Sequence, residues 1–376
     1  MRWRLARVAA AVLWFAVPKR RHVILRNLEL CFPELSRTER ESLAKRVYVR
    51  LARAAIDHGT LWCGSAEDVR SLVHFHGIEH LLNPENRPVI VVSPHFAGLD
   101  AVFTKYKGIK AIIHFAASKA VGESVQKPLL YYRNNIDSLL TLMELMPRYG
   151  VDALVFSSSC TVYGQPDVLP VDENAPIKPA MSPYGNTKQI NEEIIRDTIY
   201  SGVPYKAIIL RYFNPIGAHP TAEIGELPNG VPQNLIPFVT QTAMGIREQL
   251  SVFGDDYNTP DGSCIRDYIN VVDLAKAHVV AVDRMLTGKS LENVETFNLG
   301  TGWGLSVLEL IKTFEKVTGQ KLNYKIVGRR EGDIEQVWAN PEKANNVLGW
   351  KAEESIEDTL ASAWKWQLRL REKGIM

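Results

Sequence analysis

Ala153-Leu154-Val155-Phe156-Ser157-Ser158-Ser159, followed further on by Ser182-Pro183-Tyr184-Gly185-Asn186-Thr187-Lys188, is the stretch that decides the fold. The first run is apolar and ends in hydroxyls, the pattern of a buried strand entering a loop. Ser-Pro ahead of Tyr184 marks a helix start. One helical turn separates Tyr184 from Lys188, so both side chains lie on one face. A nearby ammonium stabilises phenolate, and a tyrosine so placed is a base near neutral pH. The spacing by itself is cheap, since Tyr106 and Lys110 repeat it. The context carries more. Hydroxyls at the carboxyl end of a strand sit where open α/β sheets bind ligands. Taken alone, residues 157–159 also read as an ordinary polar turn.

Working outward, strand and helix patterns alternate, the signature of a parallel sheet. Strands are expected at 111–116, 153–158, 207–212 and 296–299. Helices are expected near 128–147, 184–201, 271–287, 306–318 and 355–372. Neither a tandem repeat nor a low-complexity linker interrupts them. A chain of 376 residues suits one large α/β domain or two ordinary ones. Hydrophobic content of 46% and charged content of 23% exclude wholesale disorder and a polytopic membrane protein. A net charge of +2 gives no reason to expect nucleic-acid binding. The four cysteines (Cys31, Cys63, Cys160 and Cys264) are far apart and form no metal-ligand spacing. They read as free thiols of a reducing, cytoplasmic compartment, with no metal site.

The averages hide a seam near Asp100. Residues 1–100 hold 13 Arg and 2 Lys, whereas residues 101–376 hold 11 Arg and 18 Lys. Net charge is +5 before the seam and −3 after it. Either two domains with different surfaces or two pieces of different origin account for the switch. In the first piece Arg2, Arg4 and Arg7 precede an apolar run from Val8 to Pro18, and Lys19-Arg20-Arg21 follow it. That run is too short to span a bilayer, which needs about 20 residues. With Trp3, Trp14 and Phe15, residues 1–22 suit an interfacial helix in peripheral contact with the inner membrane, or else a buried core helix. Ser36-Arg37-Thr38-Glu39 is a capping-box pattern. It opens a helix whose apolar face runs through Leu43, Val47 and Leu51. Residues 89–92 then read as a buried strand ending at His95. His95 and Asp100 make H-x4-D, in which the carboxylate orients an imidazole that takes a proton from an attacking hydroxyl. His74/Glu79, His80/Glu85 and His278/Asp283 share the spacing, but only His95 follows an apolar strand.

Two resemblances carry these residues further. Arg26-Asn27-Leu28-Glu29-Leu30-Cys31-Phe32-Pro33-Glu34-Leu35 and Val89-Ile90-Val91-Val92-Ser93-Pro94-His95-Phe96-Ala97-Gly98-Leu99-Asp100 resemble the start of the lipid A biosynthesis (lauroyl-type) acyltransferases. The resemblance implies a basic, membrane-facing N-terminus and a His95/Asp100 acyl-transfer dyad, and it ends at Asp100. Beyond the seam, His114-Phe115-Ala116-Ala117-Ser118-Lys119-Ala120-Val121-Gly122-Glu123-Ser124, the two stretches around Ser159 and Tyr184, and Leu210-Arg211-Tyr212-Phe213-Asn214-Pro215-Ile216-Gly217 resemble NAD-dependent UDP-glucose 4-epimerase. So do Asp261-Gly262-Ser263-Cys264-Ile265-Arg266-Asp267-Tyr268-Ile269 and Asn298-Leu299-Gly300-Thr301-Gly302. Ser159, Tyr184 and Lys188 are then the catalytic set of a short-chain dehydrogenase. The resemblance has Tyr184 taking the proton of the sugar 4-hydroxyl, Ser159 bonding the same oxygen, and Lys188 lowering the Tyr184 pKa. Hydride passes from C4 to NAD and back. Lys119, Asn134 and Tyr212 match cofactor contacts. Asn214, Asn234, Leu235, Arg266, Tyr268, Arg330 and Asp333 match contacts to UDP-glucose or UDP-galactose. Val337 falls at the position that limits sugar size, and its small side chain points to tolerance of N-acetylated sugars. The family's homodimer would use the helices near 128–147 and 184–201.

One part of the pattern is missing. A dinucleotide fold opens with a strand, a Gly-rich turn and a helix that receive the pyrophosphate. No G-x-G-x-x-G or G-x-x-G-x-x-G occurs before residue 101. Gly300-Thr301-Gly302-Trp303-Gly304 follows a strand, but its spacing is wrong for that turn. The expected fold class is therefore α/β: an incomplete Rossmann-like parallel sheet plus a smaller C-terminal substrate domain, preceded by a mostly helical N-terminal fragment. The expected boundaries are 1–100, 101–213 and 214–376. The expected function is that of an epimerase-type chain, inactive or strongly impaired. The alternatives are a UDP-sugar-binding module without catalysis and an acyltransferase using His95/Asp100.

Overall fold

The computed structural model describes residues 2–31, 34–63, 103, 108–228, 230–330 and 332–375. The strand expected at 89–92 and the His95/Asp100 dyad lie outside the described residues. The chain divides into two compact units, Met1–Tyr106 and Lys107–Gly374.

The first unit is helical in its described part: α1 (Arg2–Ala16), α2 (Pro18–Cys31) and α3 (Arg37–Cys63). The expected capping box starts α3. The Ser36 N–H donates to Glu39 at 2.8 Å, and the Glu39 N–H donates back to the Ser36 hydroxyl. The buried face of α3 is Ala44, Tyr48 and Ala52, one residue on from the expected Leu43, Val47 and Leu51, and Leu51 is exposed. The reason lies in α1, which packs through Ala6 and Ala10. Small side chains let the two backbones approach and leave Tyr48 as the space filler. The large apolar residues of α1 (Leu5, Val8, Val12 and Phe15) consequently face outward. Among the described residues no helix is long and apolar enough to cross a membrane.

The second unit is built on four parallel strands: β1 (Ile112–His114), β2 (Ala153–Ser159), β3 (Lys206–Tyr212) and, beyond it, the strand Val294–Leu299. The strands at 153–158, 207–212 and 296–299 appear as expected, within one or two residues, and the first is shorter. Strand β2 is buried along its whole length, and β3 at all but its first residue. Such burial explains their near-continuous apolar sequence. At the described edge of the sheet, Ile112 and Ile113 of β1 are only half-buried. Helices α4 (Val121–Gln126), α5 (Pro128–Arg148), α6 (Pro183–Tyr200), α7 (Leu235–Ala243), α8 (Val271–Leu286), α9 (Val307–Thr318) and α10 (Ile356–Glu372) follow in chain order. All five expected helices are among them.

Short strand pairs carry the C-terminal part. Asn214–Ile216 pairs in parallel with Tyr268–Asn270, and Ile265–Arg266 lies between Gln336–Val337 and Leu305–Ser306. Asp267 connects these pairs. Its fully buried carboxylate accepts from the Thr301 N–H and hydroxyl, the Gly302 N–H and the Ala339 N–H, all within 3.1 Å. The Gly300–Gly304 loop thus wraps an internal carboxylate, which accounts for its glycines without a dinucleotide. A Cβ at Gly300 would meet the Asp267 carboxylate at 2.4 Å.

Candidate active site

The register Ser157↔Leu210 and Ser159↔Tyr212 brings the hydroxyl run of β2 level with the carboxyl end of β3. Ser182 caps α6 by accepting the Gly185 N–H at 3.2 Å. Gly185 is needed for close approach, because a Cβ there would meet the Thr161 carbonyl at 3.2 Å. Helix α6 therefore lies tight against the turn that follows Ser159, and Tyr184 and Lys188 reach the strand ends together.

Ser159 hydrogen-bonds the Tyr184 phenol. Lys188 is buried, with its ammonium 5.9 Å from the Tyr184 ring centre and 5.0 Å from that of Phe156. That ammonium donates to the Ser157 carbonyl at 2.5 Å. Burial pushes the Tyr184 phenol up to about 12, against which the Ser159 hydrogen bond acts. Burial pulls Lys188 down to about 8, and Glu192, one turn further along α6, opposes it. The resemblance has the lysine lowering the tyrosine pKa; here desolvation dominates both groups. A phenol at about 12 stays protonated at neutral pH.

Beneath the triad is a buried ion pair. Arg211 donates to both Glu192 oxygens, at 3.0 and 2.6 Å, and to the Tyr163 phenol at 2.8 Å. The Ser158 hydroxyl donates to Glu192, and Tyr163 bonds Asn298. This network fixes β2, β3 and α6 to one another through charge-assisted bonds.

Each of the three residues matched to the cofactor has a protein partner. Lys119 pairs with Glu226 at 3.2 Å. The Asn134 amide donates to the Ser118 hydroxyl at 3.2 Å. Tyr212 is buried, and its phenol meets His278 Nε2. The His278 Nδ1 side faces the Leu274 carbonyl at 2.8 Å, so the phenol donates to Nε2. His278 and Asp283 are not a dyad: both lie on α8, and Asp283 pairs with Lys289.

The residues matched to the nucleotide sugar gather around the short strands. Tyr268 is buried, and its phenol is pushed up by burial, with Arg266 acting against that and Cys264 and Asp333 adding to it. Arg330 pairs with Asp333 at 2.7 Å. Arg266 donates to the Ile265 and Glu335 carbonyls and pairs in register with Val337. Val337 is buried against a core that includes Tyr163 and Phe213. Asn214 donates its N–H to the Asp267 carbonyl, and Asn234 and Leu235 sit at the start of α7. The buried Cys160 thiol is pushed up to about 12 by burial, with Arg266 acting against that. Sequence reading assigns no role to Glu226, Asp267 or the Glu192–Arg211 pair, and it sets His278 aside as a chance match. Key partners of Glu226, Asp267 and His278 lie 107, 34 and 66 positions away along the chain.

A parallel sheet with Ser, Tyr and Lys gathered at the carboxyl ends of its strands defines the short-chain dehydrogenase class. Residues 95–363 match the family model of GDP-mannose 4,6 dehydratase. The chain is 51% identical over 271 residues to UDP-glucose 4-epimerase of Mus musculus, covering 72% of this chain and 77% of that protein. It is 50% identical over 269 residues to the Bacillus subtilis enzyme, covering 72% and 78%. It also superposes on the crystal structure of UDP-glucose 4-epimerase from Bifidobacterium longum in complex with NAD+ and UDP. There the TM-score is 0.70 at 46% identity, over 73% of this chain and 81% of that one. The chain belongs to the UDP-glucose 4-epimerase family. Residues 3–141 separately match the model of bacterial lipid A biosynthesis acyltransferase, running past Asp100, where the sequence reading ends that resemblance, and overlapping the first match over residues 95–141.

The buried lysine has a measurable consequence. Its folded pKa of about 8 lies below the ordinary 10.5. The unfolded chain therefore binds that proton more tightly, and the penalty on folding is complete below pH 8 and fades as pH rises toward 10.5. Lys188→Met removes the penalty but loses the bond to Ser157. At pH 7 the variant is expected to be more stable by about 1–3 kcal/mol in urea unfolding, and the gap should close by pH 10.5. A variant less stable than the parent at pH 7 would contradict this.

Proposed function

We propose that this chain is an epimerase-type protein that retains nucleotide-sugar recognition and has lost most or all of its catalysis. Recognition of UDP-glucose or UDP-galactose is assigned to Asn214, Asn234, Leu235, Arg266, Tyr268, Arg330 and Asp333. Two guanidiniums and a helix start suit a diphosphate. The relative solved with NAD+ and UDP supports both ligand classes for this fold. NAD, the cofactor the family implies, does not find a complete site among the described residues. Lys119, Tyr212 and Lys188 each already engage Glu226, His278 and Ser157. The sequence ahead of β1 offers no Gly-rich turn for the pyrophosphate, and acyltransferase-like sequence stands there instead. The observation that carries the reading is the sequence ahead of β1, which holds acyltransferase-like residues and no Gly-rich turn for a dinucleotide pyrophosphate.

The test is UDP-galactose conversion to UDP-glucose by purified chain with excess NAD, alongside UDP binding by calorimetry. The expected outcome is UDP binding with no conversion, and a roughly tenfold or greater loss of UDP affinity in Arg266→Ala and Arg330→Ala. Conversion that disappears in Tyr184→Phe would refute the loss of catalysis.

A second reading concerns the first unit. Leu5, Val8, Val12 and Phe15 line one exposed face of α1 while its alanines face inward. Arg4 and Arg7 flank that face, and Lys19, Arg20 and Arg21 follow it. We infer peripheral binding of this face to an anionic membrane surface. Co-sedimentation with phosphatidylglycerol vesicles, lost in Val8→Asp/Phe15→Asp and weakened by salt, is expected. Equal sedimentation of parent and variant would overturn it.

A further inference from the structure

Glu226 joins two residues that the site assigns to different ligands. Its Oε1 accepts from the Lys119 ammonium at 3.2 Å and from the Asn234 amide at 2.5 Å. Lys119 lies on the segment just after β1. That segment is fixed by Asn135, which accepts the Ser118 N–H at 2.7 Å and donates to the Ser118 carbonyl. The Tyr131 phenol, which accepts the Ala120 N–H, holds it as well. Asn234 lies on the opposite side, as the N-cap of α7. An N-cap asparagine ordinarily spends its side chain on the first helical N–H groups. Here it makes no such bond, and its amide goes to Glu226 instead.

The backbone behind the carboxylate is anchored. The Trp366 indole donates to the Glu226 carbonyl at 2.9 Å. Gly225 packs on the same ring, where a Cβ would come within 2.4 Å. Arg369 and Lys373 both hold Glu223, and Lys365 donates to the Pro220 carbonyl. Helix α10 therefore fixes the loop while the Glu226 side chain reaches both Lys119 and Asn234. A diphosphate binding at Asn234 would meet a like charge on Glu226, held there by Asn234 itself and by Lys119.

We propose that Glu226 is the resident anion of the nucleotide site, a latch between Lys119 and Asn234 that must let go when a nucleoside diphosphate binds. The proposal rests on the nucleotide-sugar reading above, and its test has an arm independent of that reading. In the full chain without nucleotide, Lys119 acetylation by an N-hydroxysuccinimide ester is followed by mass spectrometry. Lys127, paired with Glu123, is the internal reference. Glu226→Gln keeps an acceptor for Asn234 but removes the charge. It is expected to speed Lys119 labelling about two- to fivefold relative to Lys127, the scale of an exposed ion pair. An unchanged ratio would overturn the latch.

In the second arm, UDP binding is measured for parent and Glu226→Gln. The latch predicts tighter binding by the variant, about three- to tenfold, with the gain shrinking in high salt. Equal or weaker binding would overturn it. Absence of UDP binding in both proteins would sink the nucleotide-sugar reading, while the labelling ratio would still decide whether the latch exists.

Discussion

Strand β2 lies against β3 along seven residues, and the site depends on that register. A slip of one residue would turn Ser158 to the other face of the sheet, away from Glu192 of α6. The Glu192–Arg211 pair stabilises this register at depth. Its charges are buried, so neither partner can be removed without leaving the other uncompensated. Glu192 also favours the charged form of Lys188. Strand pairing, ion pair and lysine thus form one mechanical and electrostatic unit, with Tyr184 at its exit.

That unit is assembled, and burial sets its electrostatics. Burial raises the phenol and lowers the lysine at the same time, so each moves toward its neutral form. The nucleotide-sugar side is different. Arg266, Tyr268, Arg330 and Asp333 converge through short strands that Asp267 ties together from below. The Ser159–Tyr184–Lys188 cluster and the Arg266–Tyr268–Arg330–Asp333 group therefore stand on separate supports in this chain.

Much of the sheet was legible in the sequence. Strands 153–158 and 207–212 showed as apolar runs because both their faces are buried. Helix α6 showed because Ser-Pro and the Tyr184/Lys188 spacing are local. The face of α3 was read one residue off, because alanines on α1 decide what it buries and a hydropathy pattern undervalues alanine. The Gly300–Gly304 loop was rightly set aside on spacing, although its partner, Asp267, became visible only in three dimensions. The shift on Tyr184 was not legible, since desolvation depends on what closes around the phenol. Glu226 was silent for the same reason: Lys119 lies 107 positions away, and only the fold makes them neighbours.

The central claim is that nucleotide-sugar recognition has been kept while the dinucleotide anchor has not. Equilibrium dialysis of one purified, folded sample against labelled UDP and, separately, labelled NAD tests it most directly. The account predicts saturable uptake of UDP and no saturable uptake of NAD. Stoichiometric NAD uptake, or NAD released from the chain on denaturation, would contradict it.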